Sequence, residues 1–194
     1  LRVLQRLDKL KVLRAISPEL VLHKKNQERI KRAYDFIHDY PDFVSREERW
    51  LIPLVMLGLE LSDEGRDELN RRFGWKPVQW PVPVNEALGK LSRQRFKPSQ
   101  LAELLDQLPP PLIAALVGLA KHNEVRDRVV RYLDGPRPEE ALISGHHLLE
   151  AGVAQGREVA YWKNRALAAQ RDGEFEDLPG AMEWLSQNLS LERL

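Results

Sequence analysis

The sequence predicts an all-α protein, an elongated multi-helix array of about ten or eleven helices. Apolar residues recur at three- and four-residue spacing along the 194-residue chain and do not alternate with the period of two that strands require. Capping residues, glycines and prolines stand between these apolar segments. The 43% of hydrophobic residues is enough to build a core, whereas no apolar run approaches the roughly 18 residues of a membrane span.

Residues 1–74 are predicted to form an N-terminal bundle of four helices. The first two have apolar faces made of Leu4, Leu7, Leu10 and Leu13, and of Ile30, Ala33, Tyr34 and Ile37. The apolar residues between 50 and 58 predict a third, more buried helix. Ser62, followed by Asp63 and Glu64, predicts the cap and first turn of a fourth helix, which ends near residue 73.

Residues 75–83 are predicted to be a Pro/Trp linker. The segment carries Pro77, Pro81 and Pro83, too many prolines for a helix or a central strand. Its tryptophans, Trp75 and Trp80, either pin the linker onto the domain that it crosses or stack on nucleic-acid bases.

Seven further helices are predicted after the linker. Four belong to a helical body over residues 84–135 and are expected near 84–92, 98–108, 110–121 and 124–133. Three belong to a tail-like helical hairpin region over residues 136–194 and are expected near 145–151, 156–171 and 178–188. The prolines at 109–111 end one helix and begin the next, because proline is tolerated in a first turn.

The net charge is only +1, but the charges are distributed unevenly. Residues 1–32 contain ten Lys and Arg against three Asp and Glu, whereas the segment after Arg171 is acidic. Such an asymmetry steers a polyanion toward one side of a molecule, and it also suits ordinary solvated helix faces. The absence of cysteine excludes disulfides and thiolate metal sites and is compatible with the cytoplasmic location that we expect.

The most informative stretch, residues 143–159, contains a predicted helical hairpin with glycines at its bend. Ser144 precedes the first helix, and Gly152 and Gly156 bound the bend. Bends of this kind present main-chain N–H groups to phosphates at a helix start, with nearby cations assisting. The candidate nucleic-acid-binding residues are Gly145, His146, Gly152, Gly156, Arg157, Lys163 and Arg165. The alternative is a plain αα-hairpin whose glycines serve only the turn.

The same stretch, which reads Ile143-Ser144-Gly145-His146-His147-Leu148, resembles the C-terminal body and tail of bacterial class II tRNA nucleotidyltransferases. That family includes the CCA-adding and A-adding enzymes and their poly(A) polymerase relatives. Residues 7–20, 97–105 and 128–133 fit the same template. Two positions depart from it: His147 stands where the family has aspartate, and Gln155-Gly156-Arg157 stands where it has Pro-Gly-Pro.

The resemblance implies a protein that grips tRNA by the backbone of its acceptor and T arm and positions the 3′ end for nucleotide addition. The family's catalytic head needs an Asp-x-Asp pair with Mg²⁺ and takes ATP or CTP, and this sequence contains no Asp-x-Asp. We therefore expect the head in a missing part of a longer parent protein. No catalytic residue, metal ligand or cofactor is assigned within this chain.

Two other functions stay open. One is a helical protein-interaction or oligomerisation module, in which the basic face and the linker serve a partner protein or a second copy of the chain. The other is an HD-type metal phosphohydrolase, because His38-Asp39 is that family's dipeptide and His23 lies upstream. Such a site needs several His and Asp side chains that converge on the metal.

Overall fold

The computed structural model describes residues 1–73, 81–93 and 95–192, and within these ranges the fold is all-α, as predicted. The described residues form twelve helices and no strand. The helices are α1 (Arg2–Lys9), α2 (Val12–Ile16), α3 (Lys24–Asp39), α4 (Leu51–Gly58), α5 (Asp63–Phe73), α6 (Pro81–Arg93), α7 (Pro98–Leu105), α8 (Pro110–Leu119), α9 (Asn123–Asp134), α10 (Gly145–Glu150), α11 (Arg157–Arg171) and α12 (Leu178–Glu192). No helix of the described residues combines the length and apolar character that a membrane crossing requires.

The additional helix arises because the first predicted helix is broken at Lys11. Lys11 has a φ of 58°, in the left-handed region, so α1 ends before it and α2 begins after it. Leu13 is buried, whereas Leu10 is 55% exposed. The single apolar face predicted for residues 4–13 is therefore wrong, since the break turns these leucines in different directions.

The predicted linker coincides only in part with the described residues. Trp75, Trp80 and the rest of residues 74–80 lie outside them. The last part of the linker, residues 81–83, belongs to α6, which begins at Pro81 instead of near Val84. A helix accepts proline here because the N–H groups of its first turn have no acceptor within the helix. The linker boundary at residue 83 is corrected accordingly.

The chain forms two compact units. The first unit comprises Leu1–Gln94 and Leu105–Val129, and the second comprises Arg95–Leu104 and Val130–Leu194. Each unit combines segments that are distant in the sequence, because the units reflect packing and not chain order. The predicted division into residues 1–74, 84–135 and 136–194 stays a prediction about domain organisation.

The core of the first unit is built on α8, which packs against α3 and α4. Every residue of α8 from 111 to 119 is buried. A Cβ on Gly118 would lie 2.5 Å from the carbonyl oxygen of Arg29 and 2.9 Å from Cβ of Ala33, so only glycine allows this close approach. The guanidinium of Arg32 donates two hydrogen bonds, of 2.7 and 3.2 Å, to the carbonyl oxygen of Gly118. These bonds satisfy a carbonyl that the end of α8 leaves without a helical partner.

The core of the second unit joins α10, α11 and α12 with the loops between them. Its buried residues are Ile143, Leu148, Val153, Trp162, Ala166, Ala169, Phe175, Ala181 and Leu185. The ring of Trp184 packs at its edge, 6.2 Å from Trp162 and 5.7 Å from Phe175 between centroids. Aromatic pairs at these separations and tilts contribute beyond their buried area. They hold α11 against α12 and so position the hairpin that α10 and α11 form.

Candidate nucleic-acid interface

The hairpin begins with a capping box at the start of α10. Oγ of Ser144 accepts a hydrogen bond from the N–H of His147 at 3.3 Å, and Nδ1 of His147 accepts one from the N–H of Ser144 at 3.1 Å. His147 thus does here what a carboxylate or amide side chain usually does in a capping box. The turn is therefore preserved, although His147 stands where the family has aspartate.

The bend after α10 depends on Gly152, which has a φ of 84°. The N–H of Gly152 donates to the carbonyl of Leu149, and the N–H of Val153 donates to the carbonyl of Leu148, each at 3.0 Å. This pattern ends a helix with a left-handed glycine and returns an apolar residue to the core, here the buried Val153.

Gly156 is the N-cap of α11 and has a φ of 99° with a ψ of −122°. A Cβ built at Gly156 would meet no atom within 4 Å, so the space beside this residue is open. The carboxylate of Glu158 turns toward the bend, where Oε2 accepts a hydrogen bond from the N–H of Ala154 at 3.2 Å. Gly156 thus begins α11, and phosphate binding at this helix start stays a prediction.

The predicted side chains do not form one patch. Arg157 and Lys163 are both exposed but stand six positions apart, which separates them by about 120° around α11. His146 is exposed, with Nε2 3.2 Å from Oε1 of Glu150. Gly145 is half-buried, and its added Cβ would lie 3.6 Å from Val159. The structure thus brings Gly152, Gly156 and Arg157 together at the bend and leaves Lys163 on another side of α11; their binding roles stay predictions.

Arg165, the last of the predicted residues, is half-buried among aromatic rings. Its guanidinium lies over Trp162 and near Tyr161, and Nη2 donates to Oδ1 of Asn188 at 3.0 Å. These contacts hold the side chain in one orientation. They indicate a packing role for Arg165, beside the phosphate contact predicted from the sequence.

One face of α11 carries three polar side chains, those of Tyr161, Asn164 and Arg171, with Ala168 among them. Tyr161, Asn164, Ala168 and Arg171 are spaced by three, four and three residues, which places them on one face of a helix. Arg157 lies on the same face, one turn before Tyr161. This stripe is not among the residues predicted from the sequence, although its three- and four-residue spacing is a signal that the sequence contains.

The stripe forms one wall of a groove of about 490 Å³ within the second unit. The groove is lined by Ser99, Glu103, Tyr161, Asn164, Arg165, Leu167, Ala168 and Arg171. Its volume falls within the roughly 300–1,000 Å³ of sites that hold small ligands. The lining offers an aromatic ring, an amide, two guanidinium groups and one carboxylate.

The α7 wall of the groove is anchored by Asp172, which follows the last residue of α11. Its Oδ1 accepts a hydrogen bond from the N–H of Ser99 at 2.8 Å, and its Oδ2 accepts one from Oγ of Ser99 at 3.0 Å. Asp172 satisfies a first-turn N–H of α7 that has no acceptor within that helix. Nζ of Lys97 lies 3.7 Å from the same carboxylate. A cap contributed by a residue far along the chain therefore fixes the spacing of α7 and α11.

The HD dipeptide lies in the first unit, where Asp39 forms an ion pair with Arg126 at 2.8 Å. Both residues line a cavity of about 180 Å³ together with Arg32 and Asp35. Within residues 1–73, 81–93 and 95–192, no three histidine or carboxylate side chains are grouped as a metal site requires. The structure offers no observation that favours the hydrolase alternative.

Comparison with solved structures identifies the same fold in a CCA-adding enzyme in complex with CTP. The two structures superpose with a TM-score of 0.71 at 14% sequence identity, and the match covers 96% of this chain. It covers 46% of the other chain, so this chain spans about half the length of that enzyme. No family model matches the sequence. No curated protein matches it significantly either.

Proposed function

We propose that this chain is the tRNA-binding helical part of a tRNA nucleotidyltransferase, either CCA-adding or A-adding, and that it positions the tRNA 3′ end for nucleotide addition. The observation that carries the proposal is the fold shared with a CCA-adding enzyme over 96% of this chain. The sequence resemblance of residues 143–159 to that family supports it independently. Catalysis belongs to the head of the parent protein, and that head binds Mg²⁺ together with ATP or CTP. The parent protein acts in the cytoplasm.

Binding in this proposal is recognition of backbone and shape. The helical arms of tRNA are A-form, and proteins recognise such duplexes mainly through phosphates, 2′-hydroxyls and overall shape. Gly152 and Gly156 hold the bend in conformations that side chains resist, and the space beside Gly156 admits a phosphate to the start of α11. Arg157, the first residue of α11, is exposed beside this space. A tRNA-general protein needs no base-specific contact in these arms.

The proposed contacts extend over the two sides of the hairpin. They comprise close approach of the backbone at Gly145, Gly152 and Gly156, which have no side chain, and contacts of the side chains of His146, Arg157, Lys163 and Arg165. Because Arg157 and Lys163 face different directions, their phosphates lie on separate parts of the tRNA backbone. Each exposed cation that meets a phosphate releases condensed counterions, which is the main source of affinity for such surfaces.

The experiment is equilibrium binding of the chain to tRNA, to an acceptor–T-arm minihelix and to single-stranded RNA of matching length. We expect the folded RNAs to bind more tightly than the single strand, and the Arg157→Ala/Lys163→Ala variant to bind them at least about tenfold more weakly. The matched control is Lys25→Ala/Arg46→Ala, which removes the same charge from exposed positions of the first unit. Equal binding of all three RNAs, or equal loss in both variants, contradicts the proposal.

A helical protein-interaction module is the second candidate. Leu142, Leu149 and Leu178 of the second unit are 37–45% exposed and are the apolar contacts that such an interface would use. An apolar interface responds little to salt, whereas a phosphate interface weakens steeply. Self-association that persists at high salt, without RNA binding, is the result that selects this candidate.

A further inference from the structure

We propose that the groove between α7 and α11 holds an unpaired nucleotide of the bound RNA, with its base stacked on the ring of Tyr161. The inference rests on the proposed function and extends it, because it adds a single-stranded feature to the recognition of duplex backbone. It concerns a groove whose lining, apart from Arg165, lies outside the proposed phosphate contacts of the hairpin.

The ring of Tyr161 offers an exposed stacking surface. The side chain is 50% exposed at the edge of the groove. The ring meets Trp162 edge to face at 5.6 Å between centroids, which fixes its position on α11. Unpaired bases stack on aromatic side chains of this kind, and stacking tolerates every base because each has a π face.

Polar side chains line the groove together with that ring. Asn164 is exposed one turn further along α11 and offers both donors and an acceptor to a base edge. Glu103 on α7 lines the opposite wall and accepts hydrogen bonds from amino groups. Splayed-out bases are recognised by hydrogen bonds of this kind on their edges. The groove thus offers partners for a base edge as well as for its face.

The lining of the groove carries more positive than negative charge. Arg165 and Arg171 both line the groove, and Glu103 is the one carboxylate among its lining residues. Nε of Arg171 donates to the carbonyl of Pro138 at 3.2 Å, which orients the guanidinium. Two guanidinium groups against one carboxylate leave the lining with an excess of positive charge, which suits a phosphate. The lining therefore fits a nucleotide, which joins a flat base to an anion.

The groove and the start of α11 lie along the same face of that helix. Arg157, Tyr161 and Arg171 lie on one face of α11, so the proposed phosphate site at the start of α11 leads directly into the groove. The hydrogen bonds from Ser99 to Asp172 join the start of α7 to the end of α11, the two helices that wall the groove. One RNA strand along this face reaches both sites.

The test compares two RNA probes of matched length. One is an acceptor–T-arm minihelix that carries 2-aminopurine at a single-stranded position, and the other is a fully paired duplex. We expect binding of the minihelix to quench 2-aminopurine fluorescence, because stacking quenches this base. Tyr161→Ala should weaken minihelix binding roughly tenfold or more and abolish the quenching, and should weaken duplex binding far less, because a paired duplex offers no base to the ring. Tyr161→Phe keeps the ring and should behave like the wild type.

The matched control is Trp50→Ala, which removes an aromatic side chain of similar exposure, 53%, from the first unit. Far-UV circular dichroism checks the fold of each variant. If Tyr161→Ala does not fold, Asn164→Ala at an exposed position gives the same comparison, with a smaller loss expected for the minihelix alone. Unchanged affinity and quenching in the folded variant overturn the inference and leave the proposed function standing. Failure of the wild-type chain to bind either probe overturns both.

Discussion

The guanidinium carbon of Arg165 lies 4.7 Å from the centroid of the Trp162 ring. It also lies 5.9 Å from the ring of Trp184 on α12, so one arginine contacts aromatic rings on two helices. Cation–π contacts at these distances stabilise by about 0.5–2 kcal/mol, depending on desolvation. The charge that sequence reasoning assigned to a phosphate is therefore also part of the packing between α11 and α12.

Replacing Arg165 should consequently destabilise the second unit. We expect Arg165→Ala to lower the free energy of unfolding by about 1–3 kcal/mol, since it removes ring contacts and the hydrogen bond to Asn188. Arg165→Lys should recover part of this loss, because the ammonium keeps the charge but not the planar stacking. Urea unfolding followed by tryptophan fluorescence measures both. Lys163→Ala, two positions away and exposed, is the control, and an equal loss there contradicts the packing role.

Substitution of Gly156 should lower the stability of the fold through backbone strain alone. Gly156→Ala places a Cβ in open space, so its whole cost comes from a φ of 99° that L residues rarely adopt. We expect a loss of about 1–3 kcal/mol in unfolding free energy. Gly145→Ala is the control, because its Cβ would make an ordinary contact at 3.6 Å. Equal stability of the two variants in thermal unfolding would show that the bend relaxes without strain.

Substitution of Gly118 should lower the stability of the fold because a Cβ would clash with α3. The Cβ of Gly118→Ala would meet the backbone oxygen of Arg29 at 2.5 Å, and backbone cannot rotate away as a side chain can. We expect destabilisation by about 1–3 kcal/mol from overpacking between α3 and α8. Gly58→Ala in α4 has no atom within 4 Å of its Cβ and should be neutral or slightly stabilising. Chemical denaturation that ranks the two variants in the reverse order contradicts this account of the α3–α8 contact.

Glu19 should make stability depend on pH in the acid range. Its carboxylate accepts hydrogen bonds from the N–H and Oγ of Ser62 at 2.7 and 2.8 Å, and these bonds hold its pKa below the ordinary value of 4.5, with Arg66 adding a smaller effect. The unfolded chain therefore binds this proton at a higher pH than the folded chain does. The contribution is present above pH 4.5 and is lost as the pH falls through the folded-state pKa. Glu19→Gln should show a shallower loss of stability than the wild type below pH 4.5, and parallel curves contradict the assignment.

The helices could be predicted from the sequence wherever local signals decided them. Ile30, Ala33 and Ile37 are spaced for one face of α3, and all three are buried. Ser62 was predicted as a cap, and its Oγ accepts a hydrogen bond from the N–H of Gly65 at 3.0 Å. The break at Lys11 had no such signal, because lysine is not a residue that favours the left-handed region.

The candidate site could be predicted only where it lies within one stretch of chain. The glycines of the bend were identifiable, since the positive φ of Gly152 and Gly156 belongs to a local turn. The groove was not, because its second wall comes from Ser99 and Glu103, far from α11 in the sequence. Nor could the packing of Arg165 on Trp184 be predicted, since it depends on how α12 folds back on α11.

The measurement that tests the central claim most directly is the salt dependence of minihelix binding by the wild-type chain. If the hairpin binds phosphates, the logarithm of the association constant falls linearly with the logarithm of salt concentration, by about 0.7–0.9 per phosphate neutralised. Three or more contacts then weaken binding at least about tenfold between roughly 50 and 200 mM salt. A salt-independent affinity, or no binding at the lowest salt, contradicts tRNA-backbone recognition by this chain.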